Sequence, residues 1–209
     1  MSDEPAPTPT RGFLGRRRPA SPERRLPPGQ YDVGDSFPVL TAEVTPRLRT
    51  DDWTFRVEGL VERPTTWSWD GIRALPPSSY RGDIHCVTTW SKFDVTFAGV
   101  SVDALLEAAG PLPGATHVMA WSHSGYTTDL PLDDVRGGRA WVVWDYAGAP
   151  LPVEHGGPAR LLVPHLYFWK SAKWVPGLRL MDHDEPGFWE ANGYHDRGDP
   201  WREQRYAGD

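Results

Sequence analysis

The sequence predicts an α+β domain in which short strands outnumber helices. Three observations support this prediction: runs of β-forming residues recur along the chain, glycines and prolines separate them, and helical periodicity is rare. The runs do not alternate regularly with helices, as they would in a succession of βαβ units. With 22 prolines and 21 glycines, the domain should be rich in loops, where functional side chains are often carried.

The first elements lie between residues 52 and 90. Residues 52–61 read DWTFRVEGLV, in which apolar side chains alternate with polar ones up to a glycine, and predict a strand. Residues 64–76 begin with a proline, offer Ser68 or Asp70 as an N-cap, and predict a short helix. Residues 79–90, SYRGDIHCVTTW, predict a second strand that ends near the only cysteine.

The clearest helix is predicted at residues 101–110, SVDALLEAAG. Ser101 and Asp103 can cap its first turn, two leucines give it a buried stripe, and Gly110 ends it. Four further β-like runs follow, namely THVMAWS, YTTDLPL, RAWVVWDYAG and ARLLVPHLYFW. The second half of the chain is therefore expected to be mostly strand and loop.

Charge divides the chain into two parts. Of the 22 basic and 28 acidic residues, residues 1–30 hold six arginines and three acidic residues, which leaves 16 basic and 25 acidic residues on residues 31–209. We predict a disordered, basic, proline-rich leader over residues 1–30 and a single domain over residues 31–209. An acidic body without a basic stripe argues against nucleic acid as a partner.

Hydropathy indicates a soluble, cytoplasmic protein without a membrane span. No stretch approaches the roughly 18 consecutive apolar residues that a spanning helix needs. The arginines near the N-terminus are not followed by the apolar segment of a secretory signal.

Cys86 is the only cysteine, so the chain can form neither an internal disulfide nor a CxxC metal or redox pair. The motifs GxGxxG, GxxxxGK[ST], HExxH and GxSxG are absent. Three roles remain open for Cys86 from its local sequence: a buried apolar residue, a nucleophile, or a metal ligand. A thiol-dependent hydrolase or transferase would pair Cys86 with a histidine such as His85 or His155, and a non-catalytic binding module would use the aromatic residues as a docking surface.

The most informative stretch is residues 155–175, HGGPARLLVPHLYFWKSAKWV. A Gly-Gly-Pro turn precedes Arg160, and an aromatic run leads to basic and hydroxyl side chains at Lys170, Ser171 and Lys173. Arginine makes planar, bidentate contacts with anions, and lysines beside loop backbone can hold a phosphate. The stretch therefore predicts an anion site, unless it is an edge strand with solvated charges.

Three segments in order resemble the sulfite-oxidase-type molybdopterin-dependent oxidoreductases. HCVTTWS is similar to the cysteine loop of that family, GYTTDLPLDD to its tyrosine segment, and LPVEHGGPARLLVP with KSAKW to its later pterin-binding segment. The resemblance extends over roughly residues 35–185 and is nearest to short bacterial proteins related to the methionine-sulfoxide reductase catalytic subunit. It implies a mixed, β-rich α+β domain of the sulfite oxidase molybdopterin-binding type.

The resemblance also implies site residues and a cofactor. Cys86 would be the ligand of molybdenum in a molybdenum–molybdopterin cofactor, and Tyr126 would hydrogen-bond near the oxygen ligand of the metal. The remaining implied contacts are to the pterin and its phosphate, from Ser122, His155, Arg160, Lys170, Ser171 and Lys173. A soft thiolate suits such a metal, whereas an iron–sulfur cluster needs about four cysteines.

The resemblance implies oxygen-atom transfer or a related two-electron reaction on a small sulfur- or nitrogen-oxo substrate. His155 stands where the reductase relative has an amide side chain, and the arginine cluster that holds sulfite has no counterpart by motif, so the substrate stays open. The cytochrome b5-like domain of animal sulfite oxidases is not found in this sequence. Electrons are therefore expected to pass through a separate flavin, haem or ferredoxin-type protein.

Overall fold

The structure, a computed structural model, describes residues 25–209, so residues 1–24 of the predicted leader lie outside the described residues. The strands within this range are β1 (Tyr31–Asp32), β2 (Thr54–Gly59), β3 (Thr65–Ser68), β4 (Ser78–His85), β5 (Trp90–Ser101), β6 (His117–Trp121), β7 (Thr127–Pro131), β8 (Trp141–Tyr146), β9 (Ala149–Pro150), β10 (Arg160–Leu162) and β11 (Gly177–Met181). The α-helices are α1 (Trp69–Arg73), α2 (Val102–Ala109) and α3 (Phe188–Ala191). Short 3-10 turns occupy Thr50–Asp52, Leu132–Asp134, Val153–His155, Phe168–Lys170 and Pro200–Arg202.

The strands form two sheets. In the first sheet the order is β1-β5-β8-β10, with β4 paired to β5 and β9 paired to β8, and in the second it is β3-β2-β11-β6-β7. Most neighbouring strands are antiparallel, whereas β1 pairs with β5, and β2 with β11, in parallel. The sheet-rich architecture with few, short helices confirms the predicted α+β fold class.

Helix α2 joins the two sheets, since it packs against β2 of the second sheet and β5 of the first. Ser101 accepts a hydrogen bond from the backbone N–H of Ala104, and Gly110 ends the helix at φ +69°. The predicted helix, the Ser101 cap and the Gly110 end are therefore confirmed. Asp103 does not cap the helix, because its carboxylate accepts from the backbone N–H groups of Gly137 and Gly138. Its buried side chains join a core that β2, β6, β8 and β10 also line.

A smaller apolar cluster lies on the first sheet and includes Ile84, Cys86, Trp90 and Phe97. Its side chains come from the end of β4 and the start of β5, so close packing holds both ends of the turn between these strands in place. Cys86 is at this turn, which places the thiol at the edge of a packed cluster.

Two predicted elements differ from the structure. Residues predicted as one helix divide into β3 and α1, because Thr65–Ser68 pairs with β2 and Ser68 then caps α1 through the N–H of Gly71. In the run ARLLVPHLYFW only β10 is a strand, and Phe168–Lys170 forms a 3-10 turn. The longest strand, β5, was not predicted, because its pairing with β4 is irregular at Phe93 and Asp94. Two residues of β5 oppose one residue of β4 there, and Asp94 has a φ of +53°, which interrupts the alternation of side chains along β5.

Residues 25–30, which belong to the predicted leader, contact the domain. Arg25 forms ion pairs with Asp83 and Asp94, and the side-chain amide of Gln30 donates to the backbone carbonyl of Cys86 at 3.1 Å. Residues 25–30 are therefore packed against the domain. Within residues 25–209, no helix is long and apolar enough to cross a bilayer.

Candidate active site

A cavity of about 320 Å³ opens beside the turn between β4 and β5. This volume is at the lower end of the roughly 300–1,000 Å³ found for small-molecule and cofactor sites. The cavity wall brings together six of the predicted site residues, Cys86, Tyr126, His155, Arg160, Ser171 and Lys173.

The thiol of Cys86 is held at a tight turn. Its backbone N–H donates to Trp90 at 2.8 Å, its carbonyl accepts from Thr89 at 3.0 Å, and its Sγ lies 3.2 Å from Oγ1 of Thr88. Burial raises the pKa of the thiol, while the Thr88 hydrogen bond and the positive charge of Lys173 oppose that rise. A buried thiol of this kind is a poor free nucleophile, but a metal ion would deprotonate it on binding.

No histidine in residues 25–209 activates Cys86. Nδ1 of His85 shares a hydrogen bond with the hydroxyl of Ser91 at 2.8 Å, and burial lowers its pKa to about 4. His155 stacks on Phe37 with ring centroids 3.8 Å apart, and burial together with nearby cations lowers its pKa to about 4 as well. The geometry of a Cys–His hydrolase is therefore not present.

Arg160 is a buried cation, 1% exposed. Its guanidinium donates to the backbone carbonyls of His155 at 2.7 Å, Ser171 at 2.6 Å and Leu161 at 3.3 Å, and stacks over the ring of Phe168 at 3.9 Å. Among residues 25–209 no carboxylate lies within 4.0 Å of it. Burial lowers its pKa to about 9, because a positive charge is disfavoured where water is excluded.

Lys173 adds a second cation to the same wall. Its ammonium donates to the backbone carbonyls of Leu40 at 2.8 Å and Glu154. Burial and the charge of Arg160 lower its pKa to about 8. In the part of the chain that the structure describes, Lys173 also has no carboxylate within ion-pair distance. The wall therefore favours an anionic ligand.

Tyr126 lines the cavity with its ring and donates its hydroxyl hydrogen to the backbone carbonyl of Trp169 at 2.6 Å. Burial and the charge of Glu190 raise its pKa well above the usual value, so the phenol is neutral. Because its hydrogen is committed to Trp169, the hydroxyl can act toward a ligand only as an acceptor.

Two predicted contacts lie outside the cavity wall. Lys170 is fully buried, pairs with Glu190 and donates to the carbonyl of Asp129 at 2.7 Å. Ser122 donates to the carboxylate of Glu43 at 2.8 Å. Contacts of Lys170 and Ser122 with a cofactor stay predictions. The 3-10 turn points Lys170 into the protein, where Glu190 compensates its charge.

Several lining residues were not predicted from the sequence. An extended segment before β2 contributes Phe37, Leu40 and Glu43, and the region of α3 contributes Trp189 and Tyr194. The extended segment shows no periodicity, whereas the aromatic run GFWEANGY in the α3 region was a visible signal. Trp189 and Tyr194 form an aromatic pair, with ring centroids 4.8 Å apart, on the wall that also carries Cys86.

Comparison with protein families gives a match to the oxidoreductase molybdopterin-binding domain over residues 42–189. The matched range contains all eight predicted site residues.

Among curated proteins, the chain is 42% identical to the uncharacterized oxidoreductase YuiH of Bacillus subtilis (strain 168) over 198 residues, which are 94% of this chain and 100% of that protein. It is 30% identical to the protein-methionine-sulfoxide reductase catalytic subunit MsrP of Gluconobacter oxydans (strain 621H) over 178 residues, which are 77% of this chain and 56% of that protein. The chain thus spans the whole of the first relative but only about half of the second.

Among solved structures, the sulfane dehydrogenase SoxCD from Paracoccus pantotrophus has a similar fold. The TM-score is 0.62 at 22% sequence identity, with 66% of this chain and 40% of that chain covered.

Proposed function

This chain belongs to the oxidoreductase molybdopterin-binding domain family. On that premise we propose that it is a molybdenum-cofactor-dependent enzyme that catalyses oxygen-atom transfer or a related two-electron reaction. One observation carries the proposal: Cys86, the only thiol, shares a cavity with Arg160 and Lys173, two cations that lack a carboxylate partner among the described residues.

The chemistry of these side chains fits the cofactor. Molybdopterin carries a phosphate and sulfur donors, so it requires positive charge at one end and a soft ligand at the metal. Arg160 uses three of its five N–H groups on backbone carbonyls, which leaves two for an anion. We assign Cys86 as the metal ligand and the wall formed by His155, Arg160, Ser171 and Lys173 as the holder of the pterin and its phosphate.

The part of the cavity in which a substrate would lie near Cys86 is lined largely by aromatic side chains. Trp169, Trp189 and Tyr194 line it, and its only Lys or Arg side chains are Arg160 and Lys173. Aromatic rings contact thioether and sulfoxide substituents favourably and exclude water. We therefore propose a neutral sulfoxide or N-oxide as the substrate class. The Gluconobacter relative is named as a reductase of methionine sulfoxide, which supports this class.

When bound, the cofactor supplies two-electron oxidation–reduction at the metal. Reduction of a sulfoxide to a sulfide consumes two electrons and two protons and releases one water. The residues that line the cavity include no second redox group, so a separate electron-transfer protein would deliver the electrons. Tyr126, through its acceptor oxygen, would orient a protonated group at the reacting centre.

The test uses the chain purified from a molybdenum-replete host. We expect about one molybdenum and one pterin per chain, and reduction of small aryl methyl sulfoxides with a reduced viologen dye. Cys86→Ser replaces a soft donor with a hydroxyl that does not ionise near neutral pH, and should abolish turnover while the fold, followed by circular dichroism, is kept. Wild-type turnover in the Cys86→Ser protein would remove Cys86 as the ligand.

Cytoplasmic location remains a prediction from the sequence. Cell fractionation with an antibody against the chain tests it directly.

A further inference from the structure

A second group of ligand-type side chains lies outside the Cys86 cavity. His117 on β6, Asp129 on β7 and Asp184 in the loop after β11 each offer one ligand atom, and the three atoms lie within 4.8 Å of one another. None of these residues lines the cavity. Val118 and Leu130, their immediate neighbours on the two strands, point into the main core, so His117 and Asp129 lie on the opposite face of the second sheet.

Asp129 is the unusual member of this group. It is 1% exposed, and its Oδ2 atom is buried without a hydrogen-bond partner. Burial raises its pKa to about 7; the charge of Lys170 opposes this rise, and those of Asp184 and Glu190 add to it. A buried carboxylate oxygen without a partner is costly, and a bound cation is one way to compensate for it.

His117, on β6, and Asp184, in the loop after β11, complete the group. Nδ1 of His117 lies 3.0 Å from the hydroxyl of Thr116, a partner that fixes the orientation of the imidazole ring as such partners do for metal-binding histidines. Asp184 is exposed, so its side chain can change rotamer without disturbing the core. Ligand atoms at about 2.0–2.2 Å from a zinc ion are at most about 4 Å apart, so only a small movement is needed.

We propose that His117, Asp129 and Asp184 bind one divalent cation of the zinc class, at a site separate from the molybdenum cofactor. One imidazole and two carboxylates are typical zinc ligands. Mg²⁺ and Ca²⁺ prefer sites made entirely of oxygen atoms, so they should compete weakly.

The loop that carries Asp184 explains what such an ion would do. Residues 182–187 connect β11 to α3, and Trp189 of α3 lines the Cys86 cavity. Gly187 lies against β7, where an added Cβ would be 2.6 Å from Cα of Thr128. An ion at Asp184 would also hold the middle of the loop to the sheet and thereby limit the movement of α3.

The test is equilibrium dialysis against Zn²⁺ at pH 7.5, with Mg²⁺ in a parallel series, followed by metal analysis and thermal unfolding. The proteins are the wild-type chain, His117→Ala, Asp184→Asn and the control Asp182→Asn. The control changes an exposed carboxylate of the same loop whose ion-pair partner is His183. Since Asp184 is also exposed, its variant is expected to fold.

We expect the wild type and Asp182→Asn to bind one more zinc ion per chain than the two site variants, or to bind it at least tenfold more tightly. Zinc should raise the Tm of the first two proteins and leave that of the site variants unchanged. Equal zinc binding in all four proteins would place the ion on other side chains and overturn the proposal, as would the absence of saturable binding in the wild type. Because the readouts are metal content and Tm, the result does not depend on redox activity.

Discussion

Lys170 and Lys173 are separated by two residues in the chain, but they lie in opposite electrostatic environments. Lys170 is fully buried and compensated by Glu190, whereas Lys173 lies on the cavity wall beside Arg160 with no carboxylate partner among the described residues. Basic residues in one motif can therefore serve different purposes. A paired buried charge maintains the fold, and an uncompensated charge at a cavity is available to a ligand.

The largest expected effect is a loss of stability when Lys170, the lysine that is paired with Glu190, is replaced. Lys170→Met leaves the carboxylate of Glu190 buried without its cation, so we expect the free energy of unfolding to fall by about 3–5 kcal/mol. Urea unfolding measures the loss. Lys173→Met is the matched control, and it should change the free energy of unfolding much less. Equal losses in the two variants would contradict the distinction drawn between the lysines.

The role of the uncompensated cations on the cavity wall is tested by replacing Arg160. Arg160→Ala removes a charge-assisted contact to the cofactor worth about 1.5–3 kcal/mol, so cofactor retention should fall by about one to two orders of magnitude. Pterin content, measured by fluorescence after oxidative release, follows the change. Arg56→Ala provides the control, because Arg56 is exposed and pairs with Glu58 away from the cavity. Full pterin retention in Arg160→Ala would place the anion site elsewhere.

A second ion-paired region, around Asp134, predicts that the stability of the fold depends on pH. Asp134 is contacted by Arg139, Arg197 and His165. Burial opposes ionisation, but the hydrogen bonds from His165 and Arg197 prevail and lower the pKa of Asp134 to about 2. A carboxyl group whose folded-state pKa is depressed contributes stability above its unfolded pKa of about 4, and this contribution is lost as the pH falls from about 4 to 2.

The size of that contribution is about 2–3 kcal/mol, because the pKa of Asp134 falls from about 4 in the unfolded chain to about 2 in the folded protein. Asp134→Asn should therefore flatten the decrease of unfolding free energy in this pH window, measured by urea unfolding at pH 4.5 and 2.5. Asp182→Asn, at an exposed position, should keep the decrease of the wild type. A wild-type pH profile in Asp134→Asn would show that the acid sensitivity originates in other carboxylates.

The smallest effect is expected at Tyr126. Tyr126→Phe removes the hydrogen bond to the carbonyl of Trp169 and the acceptor oxygen, but keeps the ring that lines the cavity. We expect molybdenum content to stay unchanged and turnover per bound molybdenum to fall by up to about tenfold, which corresponds to one hydrogen bond. Equal turnover per molybdenum in the two proteins would limit Tyr126 to a structural role.

Much of the fold could be predicted because local patterns report which face of an element is buried. The alternation in residues 52–61 gave β2, and the capped stripe of residues 101–110 gave α2. The same approach failed where pairing was irregular, as between β5 and β4, and where a strand and a helix adjoin within one short segment, as at β3 and α1. Tertiary pairing overrides local preference at such places.

Local sequence is enough to show that Cys86 is the only possible thiolate ligand, and that a Gly-Gly-Pro turn, Arg160 and Lys173 follow in the order typical of the family. Which lysine reaches the cavity depends on the packed fold, and so does the closing of the cavity by residues 37–43 and Trp189, which are far apart in the chain. Side-chain periodicity encodes burial within one element, but the compensation of a charge depends on groups far away in sequence, such as Glu190 for Lys170. These long-range partners are fixed only when the sheets pack.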